Sequence, residues 1–362
     1  MKIETRHGSL TLPAFFPDAT RGVVRTVGAE DLEAAGVDGL VVNVLHLMRR
    51  PGIATLRGLG GIHRWTGWNG PILSDSGGFQ VLSMIRENPS LGSVRREGVL
   101  FTGQKGEKKR KITPEKCIQA QFRMGSDLMV CLDYCTHPDD PDALQRESVE
   151  LTIQWAKQCR EEFDRQLKRR GESDETRPKL FAVIQGGTDV RHRDRCAAEL
   201  LEIGFDGYAF GGWPIDSEGN LLKDTLEHTA KLLPEGLPRY ALGIGKPDTL
   251  VACARMGYNL FDCVIPTRDA RHGRLFIFNA TDTEDIDLDR EPFFKTVYPQ
   301  DVRYIRDNGP VSEACDCLTC SRYSLAYLHH LFTIHDALAL RLATIHNLRF
   351  YAILMEKIRA PC

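Results

Sequence analysis

Three aspartates stand where apolar runs end, and their carboxylates could do chemistry on a sugar. Asp75, Asp133 and Asp262 each lie in or after a run that is typical of a buried strand. Two carboxylates beside a glycosidic carbon can cleave it, because one attacks or shields the cationic transition state while the other moves the leaving-group proton. A single aspartate at a strand end is more often a helix cap or a loop hydrogen bonder. Three on one predicted face favour a catalytic centre.

The residues beside two of these acids suit a flat ligand that also carries phosphates. In the segment SDSGGFQ, Asp75 precedes two glycines, which let a ring approach the backbone, and Phe79 offers a face for stacking. In FDCVIPTRDAR, Asp262 is followed by Arg268 and Arg271. Guanidinium groups pair well with phosphates, so this loop could hold a phosphate-bearing substrate above the acid.

Three clustered cysteines, Cys315, Cys317 and Cys320, have the spacing of a metal site. Their thiolates would supply three soft ligands, and a closed tetrahedral zinc site needs a fourth. The spacing singles out none of the candidates for that position, which are His329, His330, His335 and His346. With four protein ligands the zinc would be structural, since no position stays open for water or substrate.

Short apolar runs alternate with amphipathic segments along most of the chain, which predicts an α/β fold with a parallel sheet. Strands are predicted at 39–46, 70–78, 127–135, 179–187, 205–212, 239–245 and 260–267. Helices are predicted at 29–36, 114–125, 147–167, 193–204, 222–233 and 248–257. This series allows a closed eight-stranded barrel or an open doubly wound sheet. No strand runs into a Gly-x-Gly-x-x-Gly turn, so the (β/α)8 TIM barrel is favoured.

In such a barrel the carboxyl ends of the strands form one face, where the following loops build the active site. That face would gather Asn43, Asp75, Asp133, Gln185, Gly212 and Asp262.

Two regions do not follow the alternation of strands and helices. The segment from about 86 to 112 is loop-like and basic, and the region from about 296 holds the cysteine cluster followed by a nearly continuous helical pattern to Ile358. No repeat or linker divides the chain, so 1–362 is predicted to be a single domain.

The composition excludes several classes of protein. The chain has 362 residues, 47 Lys and Arg against 49 Asp and Glu, a formal charge of −2 and 42% hydrophobic residues, which is unlike a disordered or collagenous polymer. No stretch reaches the roughly 18 to 20 apolar residues of a spanning helix, and the start lacks a signal peptide. Eight of the 11 cysteines are scattered, among them Cys263, which has no adjacent histidine to activate it. We therefore expect a cytoplasmic protein without a membrane partner, able to bind nucleic acid only through a local basic surface.

A series of motifs runs along nearly the whole chain. In order they are HGSLTLPAFFPDATRG, NVLHLMRRPG, GPILSDSGGFQVLS, REGVLF, ITPEKCIQAQFRMGSD, LDYCT, IQGG, IGFDGYAFGG, GIGKPD, FDCVIPTRDARHG, CDCLTC and TIHNLRFY. This series resembles the tRNA-guanine transglycosylases, the base-exchange enzymes of queuosine biosynthesis. The resemblance implies a (β/α)8 barrel over about 1–295, closed by the C-terminal helix, and an inserted zinc-binding subdomain over about 296–350.

The resemblance also implies a role for each candidate residue. Asp262 would be the nucleophile on the anomeric carbon of the wobble guanosine, and Asp75 the general acid and base for the departing and incoming bases. Asp133 and Gln185 would hydrogen-bond the base edge. The other implied contacts are a backbone amide of Gly212, ring contacts from Phe79 and Leu242, tRNA contacts from Arg268, Arg271 and Lys246, and zinc ligation by Cys315, Cys317, Cys320 and His346. Only the resemblance selects His346.

The implied partners are the anticodon loop of tRNAs with a GUN anticodon, a 7-deazaguanine base, one structural Zn²⁺ and a second copy of the chain in a homodimer. The basic tail of many bacterial relatives is not seen here, so tRNA binding is expected either to be weaker or to be rebuilt by the basic loop at 103–116. Two alternatives stay open, a non-catalytic tRNA-binding accessory paralogue and a base-exchange enzyme that acts on guanine in DNA.

Two stretches depart from the family pattern. Val44 and Leu45 stand where bacterial relatives usually have Thr-Tyr, so a hydrogen bond near Asp75 is expected to be lost. After Gly212, the stretch 213–218 (WPIDSE) replaces the usual Leu-Ala-Val-Gly-Glu, and its proline removes a backbone donor. The incoming base is therefore left open between the aminomethyl precursor, queuine itself and another 7-deazaguanine.

Overall fold

The computed structural model describes residues 1–102, 109–174 and 176–360. The strands are β1 (Lys2–Thr5), β2 (Gly8–Thr11), β3 (Ala14–Pro17), β4 (Leu40–Asn43), β5 (Ile72–Asp75), β6 (Gly92–Arg95), β7 (Gly98–Phe101), β8 (Arg110–Ile112), β9 (Leu128–Val130), β10 (Lys179–Ile184), β11 (Gly207–Phe210), β12 (Arg239–Ala241), β13 (Leu260–Cys263), β14 (Leu275–Phe278) and β15 (Phe294–Val297). The helices are α1 (Ala29–Ala34), α2 (Val44–Arg49), α3 (Ile53–Gly58), α4 (Ile62–Thr66), α5 (Gly78–Glu87), α6 (Pro114–Met124), α7 (Asp142–Arg170), α8 (Val190–Ile203), α9 (Lys223–Lys231), α10 (Pro247–Arg255), α11 (Ile265–Arg271), α12 (Leu318–Arg322), α13 (Leu325–Thr333) and α14 (Ala337–Arg359).

Eight parallel strands form the central sheet, in the order β3, β13, β12, β11, β10, β9, β5, β4. A parallel bridge between Asp18 and Val41 joins the last strand of this order to the first. The backbone N–H of Ala19 donates to the carbonyl of Val41 at 2.7 Å beside this bridge. The sheet therefore closes as a barrel, which confirms the fold class predicted from the alternation of strands and helices.

Both faces of the barrel strands are covered, which explains their continuous apolar runs. Phe16, Phe181 and Tyr240 are fully buried inside the barrel, while the outer face packs on the surrounding helices, as with Trp155 of α7. The β1–β2 hairpin contributes Leu10 to the inner core and so covers the amino end of the barrel. The carboxyl end is the face on which the active site of this fold usually lies.

All seven predicted strands are shorter than the sequence suggested. For two of them the reason is that a helix begins soon after the strand. The strand predicted at 39–46 ends at Asn43, whose side-chain oxygen accepts the backbone N–H groups of Leu45 at 3.1 Å and His46 at 3.4 Å and so caps α2. The strand predicted at 260–267 ends at Cys263, and α11 follows. Strand β3 was not predicted, since prolines at 13 and 17 interrupt its short apolar run.

The segment from 86 to 112 is more regular than predicted. Strands β6, β7 and β8 form a small antiparallel sheet there, with Val99 and Phe101 buried. Of the predicted basic loop, Lys105 and Lys108 lie outside the described residues. Lys109, Lys111 and Lys116 are exposed, but Lys111 lies in β8 and Lys116 in α6, not in a loop.

After the cysteine cluster, the chain forms two helices where the sequence suggested a nearly continuous one. They are α13 and α14, and between them His335 adopts a left-handed conformation with φ of 54°. Helix α14 packs against α11, which follows the strand of Asp262, and against α12 of the cysteine cluster. None of the helices in the described part of the chain combines the length and apolar character needed to cross a bilayer.

Candidate active site

A cleft of about 520 Å³ opens at the carboxyl end of the barrel. Asp75, Asp133 and Asp262, the three acids singled out in the sequence, all line it. The other candidate residues on its walls are Phe79, Gly212, Leu242 and Lys246. Gln185 lies behind Asp133 and joins the site through a hydrogen bond. The barrel thus brings together residues from six of its strand ends.

Asp262 is held in a fixed orientation at the end of β13. The Tyr240 hydroxyl and the Gly243 backbone N–H both donate to its Oδ1, each at 2.8 Å. Burial raises the pKa of Asp262 to about 6, and these two hydrogen bonds act in the opposite direction because they stabilise the charged form. Asp262 is therefore ionised at neutral pH. Since both donors bind Oδ1, Oδ2 is the oxygen that can attack a substrate atom.

Asp75 lies in the same cleft, but among the described residues no hydrogen bond favours its charged form. Burial raises the pKa of Asp75 well above its ordinary value, and the nearby charges of Asp262, Asp133 and Asp18 add to the effect. All these causes favour the neutral carboxylic acid. One acid of the cleft is thus suited to hold a proton and the other to be a carboxylate, the division of roles that cleavage of a glycosidic bond requires.

A tight turn fixes the position of Asp75. Gly77 follows it with a φ of +79°, and a Cβ added there would come within 2.6 Å of the Cβ of Leu45. Only glycine fits such a left-handed, closely packed position. Leu45, one of the two departures from the family pattern, is thus a buried packing residue behind the turn of Asp75.

Asp133 and Gln185 present a polar edge on the far side of the cleft. Gln185 Nε2 donates to Asp133 Oδ2 at 2.7 Å, and Gln185 Oε1 is buried without a hydrogen-bond partner among the described residues. Burial raises the pKa of Asp133 to about 6, with the bond from Gln185 acting in the opposite direction. Gly212, with φ of +93°, lies just after β11, the strand that pairs with the strand before Gln185. A base edge with adjacent donors and acceptors would satisfy these groups.

Two aromatic rings stand at the rim of the cleft. Phe79 is 42% exposed and Trp213 is 37% exposed, and their ring centroids are 5.7 Å apart. His137 contacts Trp213 edge-on at 5.3 Å. Leu242 lines the cleft and is half-buried. Exposed rings at a cleft entrance suit the flat faces of nucleobases, which stack on aromatic side chains.

The candidate arginines lie outside the cleft wall, on α11 directly after Asp262. Arg268 donates to Asp269 at 3.3 Å and is half exposed. Burial lowers the pKa of Arg271, and the nearby positive charges of Arg25 and Arg268 lower it further. Arg25, which lies in the segment after β3, was not predicted from the sequence as a site residue. Arg271 is also near Asp18 of the cleft wall, whose charge acts in the opposite direction, so these three guanidinium groups lie close enough to the cleft to contact an anionic backbone.

The cysteine cluster meets one histidine, and the structure selects it from the four candidates. Cys315, Cys317, Cys320 and His346 place their ligand atoms within 4.8 Å of one another and could hold a metal ion. His346 Nδ1 lies 3.3 Å from Cys320 Sγ and 3.9 Å from Cys317 Sγ. Two ligands of a tetrahedral zinc ion would be about 3.6 Å apart, given usual Zn–S and Zn–N bond lengths.

The other nitrogen of His346 is also held. Its Nε2 lies 2.8 Å from the carbonyl oxygen of Phe276, the kind of outer contact that orients a metal-binding imidazole. Of the competing candidates, His329 instead contacts the carbonyl of Pro299 through Nδ1 at 2.7 Å.

Asp18 and Arg193 were also missed in the sequence. Asp18 lines the cleft directly after β3, where it follows the apolar run AFFP much as the other acids follow theirs. Arg193 is fully buried beneath the cleft and donates to the carbonyls of Ile184 at 3.2 Å, Gly187 at 2.7 Å and Gly211 at 3.0 Å. It therefore fastens the loops that carry Gln185 and Gly212. The sequence signal that could have identified Arg193 is its position on the same helical face as the apolar residues Cys196, Ala197 and Leu200.

Comparison with known proteins agrees with the site. Residues 1–361 match the family described as "Queuine tRNA-ribosyltransferase". The queuine tRNA-ribosyltransferase of Novosphingobium aromaticivorans is 37% identical over 358 residues, which is 99% of this chain and 89% of the relative. Those of Pseudoalteromonas translucida and Idiomarina loihiensis are each 40% identical over 352 residues, covering 97% of this chain and 86% and 87% of the relatives. The resemblance seen in the motifs is thereby confirmed, and the chain belongs to the queuine tRNA-ribosyltransferase family.

Proposed function

We propose that this chain is a tRNA-guanine transglycosylase, a pentosyltransferase that exchanges the wobble guanine of GUN-anticodon tRNAs for a 7-deazaguanine. The observation that carries the proposal is the convergence of two acids in one cleft, of which Asp262 is held by two hydrogen bonds that favour its charged form, whereas the surroundings of Asp75 favour its neutral form. Family membership over 1–361 supports the reaction class. The presence of both acids argues against the non-catalytic accessory paralogue.

In the first displacement, Asp262 Oδ2 attacks C1′ of the wobble nucleotide. The C1′–N9 bond breaks, and Asp75 gives its proton to the departing guanine. The result is a ribosyl ester on Asp262 and a carboxylate at position 75. A covalent intermediate of this kind divides one difficult substitution into two easier ones.

In the second displacement, the incoming base occupies the place of the guanine. Asp75 takes the proton from its N9–H, N9 attacks C1′, and the C1′–O bond to Asp262 breaks. Both acids return to their starting states, and the two displacements together retain the configuration at C1′. Asp133, Gln185 and the backbone N–H of Gly212 hold the base edge, while Phe79 and Leu242 cover its two faces.

Guanine exchange tests this proposal directly. The purified chain is incubated with tRNA that carries a wobble guanine and with labelled guanine, and label in the tRNA is measured. Incorporation is expected; its absence, with intact tRNA binding, would leave the accessory role. Duplex and single-stranded DNA are run in parallel, since incorporation there instead of into tRNA would favour the DNA enzyme.

The loop after β11 bears on the identity of the incoming base. Trp213, Ile215 and Leu221 line the cleft, and Ile215 pairs with Leu221 across a short hairpin. Asp216 is engaged in that hairpin, where it accepts the N–H groups of Glu218 and Asn220. We propose that the substituent at position 7 lies against this apolar wall. Competition between the aminomethyl precursor and queuine for the ribosyl enzyme would identify the base.

For tRNA we propose that Arg268, Arg271 and Lys246 contact the anticodon loop. Lys246 is exposed on the cleft wall, and both arginines follow the nucleophile on α11. Such contacts would let a chain with a formal charge of −2 bind nucleic acid through a local basic surface. The proposed place of action is the cytoplasm, where tRNA is modified.

We propose that Cys315, Cys317, Cys320 and His346 hold one structural Zn²⁺. The ion would organise a zinc-binding subdomain of about 296–350, inserted beside a barrel of about 1–295 that α14 closes, all within one catalytic domain of 362 residues. With four protein ligands it would take no part in the chemistry. It would instead join α12 to α14 and so support α11.

Removal of the metal is expected to loosen this region first. In Cys317→Ser, we expect the zinc content to fall from about one ion per chain to near zero, and hydrogen exchange to rise around 315–322 and the start of α14. His335→Ala, which alters an exposed histidine of the same region, should keep its zinc. Unchanged exchange protection in the metal-free protein would refute a structural role.

We also propose that the chain forms a homodimer through a surface that we call the 298–327 patch. It consists of Tyr298, Val302, Ile305 and Tyr327, which are 46%, 74%, 55% and 40% exposed. The segment of Val302 packs on α13, which carries Tyr327, and Tyr298 and Ile305 flank that segment in the chain. Clustered exposed apolar groups of this kind usually mark an interface.

Sedimentation measures this assembly. We expect the mass of two chains at micromolar concentration for the wild type, and a monomer for the double variant Val302→Asp, Ile305→Asp. A wild type that sediments as a monomer would exclude the dimer.

A further inference from the structure

Asp18 is a fourth carboxylate in the cleft, and the two displacements do not use it. It follows β3, which pairs with β13 so that Phe16 is opposite Asp262 and Pro17 is opposite Cys263. Both Asp18 and Asp262 line the cleft. The charge of Asp18 raises the pKa of Asp262 and of Asp75. The charge of Asp18 also favours the charged forms of Arg271 and His46. A fourth acid that works against ionisation of the nucleophile still needs a function in the reaction.

The order of the strands shows which part of a bound nucleotide Asp18 faces. The polar edge formed by Asp133, Gln185 and Gly212 follows β9, β10 and β11. In the closed order, β3 is opposite β10. Asp18 therefore stands across the cleft from Gln185 and next to the strand of the nucleophile.

The chemistry of guanine places the sugar on the Asp18 side. Its hydrogen-bonding edge lies on the opposite side of the purine from N9, the atom bonded to the sugar. With that edge on β9–β11 and C1′ within reach of Asp262, the sugar points toward β3 and β4. This orientation rests on the proposed function, which assigns both the residues that bind the base edge and the nucleophile.

The Asp18 carboxylate has room for a further donor. Thr20 supplies both hydrogen bonds that the described part of the chain makes to it, from its backbone N–H at 3.1 Å and from its hydroxyl, and both reach Oδ1. A carboxylate can accept about four hydrogen bonds. Thr20 thus fixes the carboxylate in place and leaves Oδ2 for a ligand.

Only one group of the wobble sugar can donate a hydrogen bond. Within an RNA chain, the 3′ and 5′ oxygens are esterified to phosphate, so the 2′-hydroxyl is the only donor that remains. Phosphates themselves would be repelled by a carboxylate. We propose that Asp18 accepts a hydrogen bond from the 2′-hydroxyl of the wobble nucleotide and thereby makes the enzyme select ribose over deoxyribose. Bonds to this hydroxyl strengthen as the sugar approaches its cationic transition state, so Asp18 would favour catalysis as well as binding.

The test compares two substrates, an anticodon stem–loop RNA with guanosine at the wobble position and the same RNA with a single 2′-deoxyguanosine there. We expect wild type to prefer the ribose substrate by about 10- to 100-fold in kcat/KM for guanine exchange, the effect of a hydrogen bond to a charged group. In Asp18→Ala this ratio should fall to near one, mainly through loss of kcat on the ribose substrate.

Two further variants separate this role from others. Asp18→Asn keeps an acceptor oxygen without the charge, so an intermediate ratio is expected. Both variants should shift the acid limb of the pH profile to lower pH, since a repelling charge beside Asp262 is gone. Asp224→Asn, the same change at an exposed helical position, should alter neither ratio nor profile.

The outcomes are distinguishable. If wild type exchanges guanine but Asp18→Ala keeps the wild-type ribose preference, the role of Asp18 is refuted and the proposed function stands. If wild type exchanges guanine on neither substrate, the proposed function itself fails. A variant with a lower melting temperature than wild type is compared by its substrate ratio, which the fraction of folded enzyme does not change.

Discussion

Asp262→Asn is expected to lower the rate of guanine exchange by at least about 1,000-fold, because an amide cannot form the ribosyl ester. The Asn side chain can still accept hydrogen bonds from Tyr240 and Gly243, which hold Asp262 Oδ1 at 2.8 Å. The variant should therefore fold normally and bind tRNA with nearly wild-type affinity. The measurement is incorporation of labelled guanine into tRNA, together with a binding titration on the same preparation.

A neighbouring thiol provides the control for this experiment. Burial raises the pKa of Cys263 to about 12, so the side chain is a neutral thiol at neutral pH and a poor nucleophile. Cys263→Ala should keep most of the exchange activity. Full activity in Asp262→Asn, or loss of activity in Cys263→Ala with intact folding, would show that Asp262 is not the nucleophile.

Asp75→Asn has the second large expected effect, a loss of about 100- to 10,000-fold in kcat, the range for removal of a general acid and base. The pH profile carries the sharper prediction. Asp262 must be ionised, so activity falls as the pH drops through its pKa of about 6. Asp75 must be protonated, so activity falls as the pH rises through its raised pKa. The variant should keep the acid limb and lose the alkaline limb.

The same substitution is expected to stabilise the fold. A raised pKa means that the folded chain binds the Asp75 proton more tightly than the unfolded chain does. The resulting stability is present at low pH and is lost as the pH rises through the folded pKa. At alkaline pH Asp75→Asn should therefore melt at a higher temperature than wild type.

The pH profile decides the catalytic role. If the alkaline limb of the activity profile survives in Asp75→Asn, the general acid is another residue.

Several parts of this structure could be predicted from the sequence because they depend on local pattern. The buried strands have continuous apolar runs, and parallel strands bring their carboxyl ends to one face, so the convergence of Asp75, Asp133 and Asp262 followed from the barrel alone. Spacing also identified Cys315, Cys317 and Cys320. The fourth ligand could not be derived in this way, since it comes from α14 and depends on how that helix packs.

The remaining features depend on tertiary contacts. Val44 and Leu45 are as buried in a helix as they would be in a strand, so hydropathy could not show that β4 ends at Asn43. Asp18 escaped notice because β3 is a strand of four residues between prolines. Arg193 is polar in sequence, yet three backbone carbonyls satisfy its buried guanidinium. Each is a site residue or neighbour whose role appears only once the chain is folded.

The covalent intermediate tests the double displacement most directly. Wild type is mixed with the anticodon stem–loop RNA without an incoming base, denatured with acid, digested, and examined by mass spectrometry. We predict an RNA adduct on the peptide that contains Asp262, its absence in Asp262→Asn, and its loss when an incoming base is added before denaturation. Guanine exchange without any adduct, or an adduct mapped to Asp75, Asp18 or Cys263, would contradict the assignment of Asp262 as the nucleophile.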